Sequence, residues 1–366
     1  MSDSAFPLVE VSGPPGERGR QYGRQAGERI AAGVKLYQDV FATRGMTWNQ
    51  AMQLATEFAP QMGGYDPDML AEMQGVAQGA EQPLEVIVIL NARTELTFWK
   101  DRNLPPDMIS AVGLQEDCTS VLALPSATRE GRLLHAQNWD WNPACADTSV
   151  VLKIHSNDGP DIMTFVEAGQ LARHGMNSSG IALTANGLQC ELDGGHIGVP
   201  NPLIRRRILQ ARTLAEALDT VLNADITYSH ALTISHSDGE AFCIETTPQS
   251  RFWLEAESGI MVHANHFKSS AALAKHNDIG LQRCPESLYR DARARRHMQG
   301  LVDLDTIKSA LADNWGSPDA VLRSPKLREG GTVSATVASE IMDAASGKMW
   351  LAPRPYLGIE YTEYSL

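Results

Sequence analysis

The sequence predicts an α+β fold in which two antiparallel sheets stack face to face with helices outside, entered through a helical N-terminal leader. Three observations carry this. Residues 14–100 form long amphipathic stretches rich in Ala, Glu, Gln, Met and Arg. From Cys118 to about residue 189 come short β-rich runs with turn residues between them. Beyond that, helical pairs alternate with further strands. Such an order leaves β-structure that must be covered on both faces, and stacked sheets with outer helices do that.

The elements follow in order. Gly13-Pro14-Pro15-Gly16 is a turn that launches a helix over 17–43. It lacks the Gly-Lys-Ser/Thr ending and the long preceding strand of a phosphate loop. A second helix is expected over 48–58 and a third over 66–79, with Asp66 as N-cap and Pro67 in the first position. Residues 83–91 close the leader with an apolar helical segment, and 101–116 reads as an exposed linker. Strands are expected over 119–124, 133–139, 149–156, 161–167 and 180–187. A helical pair follows at 201–211 and 214–223, the second with Thr213 and Glu216 in capping-box spacing. Strands resume at 231–235, 241–246, 251–255 and 260–263, then helices at 285–299 and 303–313. Strands over 332–342 and 348–351 close the fold. The basic run from Arg290 to His297 reads as a solvated helix face offset by acidic neighbours.

Composition excludes several classes of function. The 366 residues are 43% hydrophobic and 20% charged, enough apolar mass for a sizeable core. A net charge of −13 opposes nucleic-acid binding, which needs clustered Lys and Arg to displace counterions. No stretch approaches the ~20 apolar residues that span a bilayer. The first residues lack the charged-then-apolar form of a signal peptide. The cysteines (118, 145, 190, 243 and 284) are odd in number and widely spaced, which fits neither a disulfide scaffold nor a zinc ribbon. A reducing cytoplasm is therefore expected, with no cofactor, no metal, no nucleic acid and no membrane partner.

Cys118 stands where the helical pattern gives way to the β pattern. Read alone it is a buried structural thiol, since unpaired Cys is among the most buried residue types. Its position suggests a second use. A chain cut just before it would present a thiol and a free α-amino group on one residue, a nucleophile with its own general base. Their ordinary pKa values, about 8.5 and about 7.7–8.0, both suit neutral pH.

The blocks around it favour that use. They are Leu90-Asn91-Ala92-Arg93-Thr94-Glu95-Leu96, Asp117-Cys118-Thr119-Ser120, Gln137-Asn138-Trp139-Asp140, Glu167-Ala168-Gly169, Gly175-Met176-Asn177-Ser178-Ser179-Gly180 and His263-Ala264-Asn265-His266. Upstream lie Gly16-Glu17-Arg18-Gly19-Arg20-Gln21-Tyr22-Gly23 and Glu72-Met73-Gln74-Gly75-Val76-Ala77-Gln78-Gly79. In order and spacing the chain resembles the isopenicillin N (acyl-CoA:6-aminopenicillanic acid) acyltransferase family of N-terminal-nucleophile cysteine hydrolases, over nearly its whole length.

The resemblance implies a four-layer αββα N-terminal-nucleophile hydrolase sandwich. It implies self-cleavage between Asp117 and Cys118, giving a helical leader 1–117 and a catalytic domain 118–366. Cys118 would be the nucleophile, Asn265 an oxyanion-hole donor, and Asp140 a carboxylate that holds the α-ammonium and tunes its pKa. Thr119 and Ser120 would assist cleavage or anchor the amine, Trp139 and Trp141 would wall the pocket, and Asn186 is a further candidate. Read structurally, Asp140 and Asn265 are turn formers. His263 and His266 offer a rival metal reading, but their spacing suits no single helix face and the sequence nearby supplies no acidic or cysteine cluster.

Two departures bear on substrate. Asp117 stands where the fungal acyltransferase has Gly, and a carboxylate there disfavours a neighbouring thiolate. Val333-Ser334-Ala335-Thr336 lacks in register the Arg that the family uses for a substrate carboxylate. Penicillin precursors and CoA thioesters are thus poor fits. The expected activity is a cytoplasmic cysteine amidase with acyltransferase capability, acting on small N-acyl amines or amino acids. A β-alanyl-amine hydrolase is the alternative within the fold, and an unprocessed binding protein the alternative outside catalysis. The expected partners are the small substrate and the other fragment of the same chain, with a homo-oligomer left open. A serine α/β-hydrolase is excluded by the lack of a Gly-x-Ser-x-Gly elbow.

Overall fold

A computed structural model describes residues 5–98, 117–328 and 331–366. The expected linker at 101–116 lies outside the described residues. The leader opens with strand β1 (Leu8–Ser12), followed by helices α1 (Pro15–Thr43), α2 (Trp48–Tyr65), α3 (Pro67–Gly79), α4 (Leu84–Asn91) and α5 (Arg93–Thr97). Asp66 caps α3 by accepting from the Met69 N–H, with Pro67 at the first position. Helix α2 runs past the expected end at 58 because Pro60 is carried inside it.

Strands β2 (Asp117–Ala123), β3 (Leu134–Trp141), β4 (Ser149–His155), β5 (Ile162–Glu167), β6 (His174–Asn177) and β7 (Ile181–Gly187) come next. Helices α6 (Asn201–Leu209) and α7 (Leu214–Asn223) precede β8 (His230–His236), β9 (Glu240–Thr246), β10 (Arg251–Glu255) and β11 (Ile260–His263). Then come α8 (Ser270–Lys275), α9 (Ile279–Arg283), α10 (Glu286–His297) and α11 (Leu304–Leu311), and finally β12 (Lys326–Leu327), β13 (Val333–Asp343), β14 (Lys348–Pro353) and β15 (Thr362–Ser365).

The described strands form two sheets. One runs β1-β4-β5-β6-β7-β8-β9-β10; the other runs β11-β2-β3-β13-β14-β15, with β12 on β13. They face each other through β2, β3 and β7, while α6 and α7 cover the first sheet and α10 and α11 the second. This is the αββα order. Side chains alternate across each strand. In β2 and β3 one face therefore meets the opposing sheet: His135 contacts Thr184 and Ser235, and Gln137 contacts Ala185. The other face meets α10 and α11, as Asn138 does by donating to the Leu311 and Val321 carbonyls.

Four strands escaped the sequence. β6 is four residues long and β12 two, β15 lies beyond the expected last strand, and β1 belongs to the leader yet pairs parallel with β4. The first sheet is thus not wholly antiparallel.

The leader is tied to the body by buried polar bonds. Glu72 receives Arg18 (2.5 Å) and Arg206 (2.8 Å). Glu167 receives Tyr37 Oη (2.5 Å) and Arg93 (2.9 Å). The Asn91 amide donates to the Gly169 carbonyl and accepts from the Leu171 N–H, both at 2.9 Å. Several of the blocks that carry the family resemblance are therefore joints between leader and sheet.

Candidate active site

Cys118 lies second in β2, directly opposite Trp139 of β3 and 1% exposed. Its thiol side is the face toward the other sheet, shared with Ser120, Gln137, Trp139 and Trp141. Asp117, Thr119 and Asp140 lie on the opposite face, against α10. The strand alternation thus divides the sequence-predicted residues into two groups back to back.

On the thiol side, Ser120 Oγ donates to Asn186 Oδ1 (2.9 Å), and Asn186 Nδ2 donates to the His263 carbonyl (3.0 Å). Trp139 and Trp141 are both buried, with guanidiniums over their rings: Arg173 at 3.7 Å and Arg93 at 5.3 Å. Burial pushes the Cys118 thiol up to about 12, helped by Asp140 and Asp117, while the Gln137 side chain and Arg205 pull the other way. At neutral pH the sulfur is a neutral thiol.

On the α10 side, two buried arginines organise the acids. Arg290 Nη1 donates to the Cys118 carbonyl (2.8 Å) and to Thr119 Oγ1 (3.0 Å), and Nη2 donates to Asn265 Oδ1 (2.9 Å). Arg290 also lies 3.6 Å from Asp117. Arg323 lies 3.2 Å from Asp117, 3.3 Å from Asp140 and 3.0 Å from Glu286. These carboxylates hold Arg323 charged despite its burial. Asp117, Cys284 and Glu286 offer atoms close enough together to suggest a metal nest, but the Arg323 guanidinium already pairs with both carboxylates there. Asp140 accepts from Thr336 Oγ1 at 2.6 Å; burial pushes it up to about 7 although Arg323 and Arg290 pull it down.

Asn265 bridges the two groups. Its Oδ1 accepts the Cys118 N–H at 2.9 Å, and its Nδ2 donates to the Gly187 carbonyl at 2.9 Å. The bond from the Cys118 nitrogen therefore runs to Asn265, and the Asp140 carboxylate is turned to Thr336 and Arg323. The Asn265 backbone N–H donates to Ser287 Oγ (2.7 Å) of α10. His263 engages Glu245 (2.9 Å) and the Ala264 carbonyl (2.8 Å) through its two ring nitrogens. This acidic partner comes from β9, 18 residues earlier, and the pairing leaves the ring neither nitrogen for a metal.

The expectation for Arg290 is corrected. It is fully buried, as are Ser287 and Ala294 on the same helix, with Asp291 nearly so. The periodicity of that stripe was present in the sequence, but its members are Ser, Arg, Asp and Ala, so it carries no apolar signal. Arg323, in a loop, left none either.

A family model described as acyl-coenzyme A:6-aminopenicillanic acid acyl-transferase matches residues 127–353. The acyl-coenzyme A:6-aminopenicillanic-acid-acyltransferase 40 kDa form of Emericella nidulans is 27% identical over 350 residues, 93% of this chain and 90% of that protein. Among solved structures, a mutant conjugated bile acid hydrolase from Clostridium perfringens aligns with a TM-score of 0.45 and 14% identity, over 68% of this chain and 92% of that one. Penicillin V acylase from Agrobacterium tumefaciens aligns with a TM-score of 0.43 and 13% identity, over 68% and 86%. Among the described residues no helix is long and apolar enough to cross a membrane.

Proposed function

The chain belongs to the acyl-coenzyme A:6-aminopenicillanic acid acyl-transferase family, and from that premise we propose that it is a cysteine amidase that cleaves itself before Cys118 and acts on small N-acyl compounds. The observation that carries this is the treatment of the Asp117–Cys118 junction. The nitrogen of Cys118 is held by Asn265, its carbonyl by Arg290, and the side chain of the preceding residue by Arg290 and Arg323. A merely structural cysteine needs none of these.

Self-cleavage begins with attack of the thiol sulfur on the Asp117 carbonyl carbon. The C–N bond breaks, the Cys118 nitrogen takes up the proton, and a thioester forms. Water then hydrolyses the thioester, releasing the Asp117 carboxylate and restoring the thiol. The side-chain charge of Asp117, which the sequence placed as an obstacle to a thiolate, is directed to the α10 face and balanced by two guanidiniums.

In turnover the freed amine of Cys118, still facing Asn265 Oδ1, accepts the thiol proton while sulfur attacks the substrate carbonyl. The amine portion leaves with that proton, and water or a second amine takes the acyl group. A negatively charged tetrahedral centre forms in each half. Asn265 Nδ2 belongs to the same amide that holds the nucleophile's nitrogen and is proposed to serve that oxygen; a donor of this kind is worth about 2.7–4 kcal/mol.

Purified protein is expected as two fragments, ending at Asp117 and beginning with Cys-Thr-Ser, that co-purify because β1 and the Glu72 and Glu167 ion pairs cross the cut. Cys118→Ala is expected to remain one chain without amidase activity, while Cys145, Cys190, Cys243 and Cys284 tolerate replacement singly. Intact mass and N-terminal sequencing decide it, and an active full-length enzyme refutes the reading.

A further inference from the structure

Six arginines are buried among the described residues: Arg93, Arg173, Arg205, Arg206, Arg290 and Arg323. Five have partners: Arg93 and Arg173 on Glu167, Arg206 on Glu72, Arg290 on Asn265 and Cys118, and Arg323 on Asp117 and Glu286. Arg205 is 4% exposed and has no hydrogen bond or ion pair among the described residues, and its Nε is a buried donor with nothing to donate to. A buried charge without a partner is expensive, because nothing replaces the water it gave up. Folds retain one where something supplies the missing charge.

The surroundings say what that is. Arg205 lies one turn after Asn201 on α6 and so shares its face. Asn201 donates its backbone N–H to Glu95 Oε1 (3.3 Å) and its side-chain amide to His230 Nε2 (3.0 Å). His230 can only be neutral or cationic and so supplies no counter-charge; burial pushes it down to about 3 and keeps it neutral. Glu95 leaves its second oxygen, Oε2, without a partner, and it forms no ion pair with Arg205. Burial lifts Glu95 to about 7, which dilutes its negative charge at neutral pH. His230 is the strand partner of Gly187, whose carbonyl accepts from the Asn265 amide that also holds the Cys118 nitrogen, so this part of α6 lies beside the nucleophile. The Arg205 charge also favours the Cys118 thiolate. An unmatched cation thus stands on α6 near the nucleophile.

We propose that Arg205 is the anion-binding group of the substrate site, and that the compound cleaved at Cys118 carries a carboxylate that pairs with the Arg205 guanidinium. This rests on the reading of Cys118 as nucleophile. It narrows the substrates from N-acyl compounds in general to those with a free acid, N-acyl amino acids above all. Neutral N-acyl amines would leave the cation uncompensated.

The test uses the processed enzyme and matched pairs of amides that differ only in a free carboxylate or its methyl ester. Wild type should prefer the acid at least tenfold in kcat/KM. Arg205→Gln should lose that preference, its loss falling at least ten times more heavily on the acid than on the ester, with Arg205→Lys in between. A second probe needs no substrate. Relative to free cysteine, Cys118 should favour iodoacetate over iodoacetamide by at least tenfold, and Arg205→Gln should abolish the bias. Equal losses on acid and ester, or no bias in either assay, would overturn the proposal while leaving the nucleophile intact. Failure of the nucleophile reading shows differently, as an uncut chain whose turnover survives Cys118→Ala. In that event the acid preference of whatever amides it cleaves, and its loss in Arg205→Gln, still decides the role of Arg205.

Discussion

Asn265 offers two functions through two atoms, and they can be separated. Its Oδ1 holds the Cys118 nitrogen and its Nδ2 is the proposed donor to the oxyanion. Asn265→Ala removes both. If the donor acts mainly in the transition state, kcat and kcat/KM should fall together, by about a hundredfold to a thousandfold, with little change in KM. Asn265→Asp keeps an acceptor for the amine, beside Arg290, but replaces the donor by a negative charge. It should be no better than Ala, because the charge faces the one that develops. Steady-state kinetics on processed enzyme check this, and rescue by Asp would transfer the role of Asn265 from the oxyanion to the placement of the amine.

At the scale of elements, the glycines of the leader have a geometric purpose. Helices α1 and α3 cross so closely that a Cβ at Gly75 would lie 2.2 Å from the Gly16 carbonyl oxygen, and one at Gly19 would lie 2.1 Å from that of Glu72. The obstacle is backbone, which cannot turn aside. Gly75→Ala should therefore destabilise by at least the ~1–3 kcal/mol typical of overpacking. Gly27, in the same helix as Gly19, has nothing within 4 Å of its would-be Cβ, and Gly27→Ala should stabilise by ~0.5–1 kcal/mol. Denaturant unfolding of the two variants tests the contrast. The starts of α2 and α3 and the capping by Asp66 and Thr213 were legible because local chemistry sets them, whereas the end of α2 was not. The close crossing was legible only as two glycine-bearing motifs without a stated purpose. The polar face of α10 and the guanidinium of Arg323 were not legible. Their partners lie up to about two hundred residues away, and nothing in the local pattern distinguishes a buried Arg from a solvated one. Cys118, Asn186 and Asn265 were found as separate motifs, but their arrangement came from strand pairing, as did the turning of Asp140 and Thr119 away from the thiol.

At the scale of the whole molecule, two families of buried titratable groups set the response to pH. Burial raises the carboxyls of Glu95, Asp140 and Asp193 to about 7 and that of Glu340 to about 8. For these the folded chain binds more protons than the unfolded one, so their contribution is full below about pH 4 and is lost as pH rises through 7 to 8. Burial lowers His135 and His230 to about 3 and His266 to about 4, and lowers His174 as well. Here the folded chain binds fewer protons, so stability is gained as pH rises toward about 6.5, the unfolded value, and no further. Between about pH 5 and 6.5 the two trends oppose each other. Above 6.5 the carboxyls still titrate differently, each steepening the loss by at most ~1.4 kcal/mol per pH unit, and toward pH 8.5 the buried thiols of Cys190 and Cys243, raised to about 12, add to the loss. The Cys118→Ala chain, expected to stay uncut, should therefore show a nearly level melting temperature from pH 5 to 6.5 and a fall from 6.5 to 8.5. Glu340 is the informative position because it titrates last and lies fully buried, 3.3 Å from a neutral His174. Glu340→Gln in that background should reduce the fall above pH 6.5 by about 1–2 °C and turn the level region into a rise, because Glu340 opposes the histidines across pH 5 to 6.5 as well. A fall of unchanged size in the variant would mean that Glu340 is ionised in the folded chain at neutral pH, with Arg173 supplying its counter-charge.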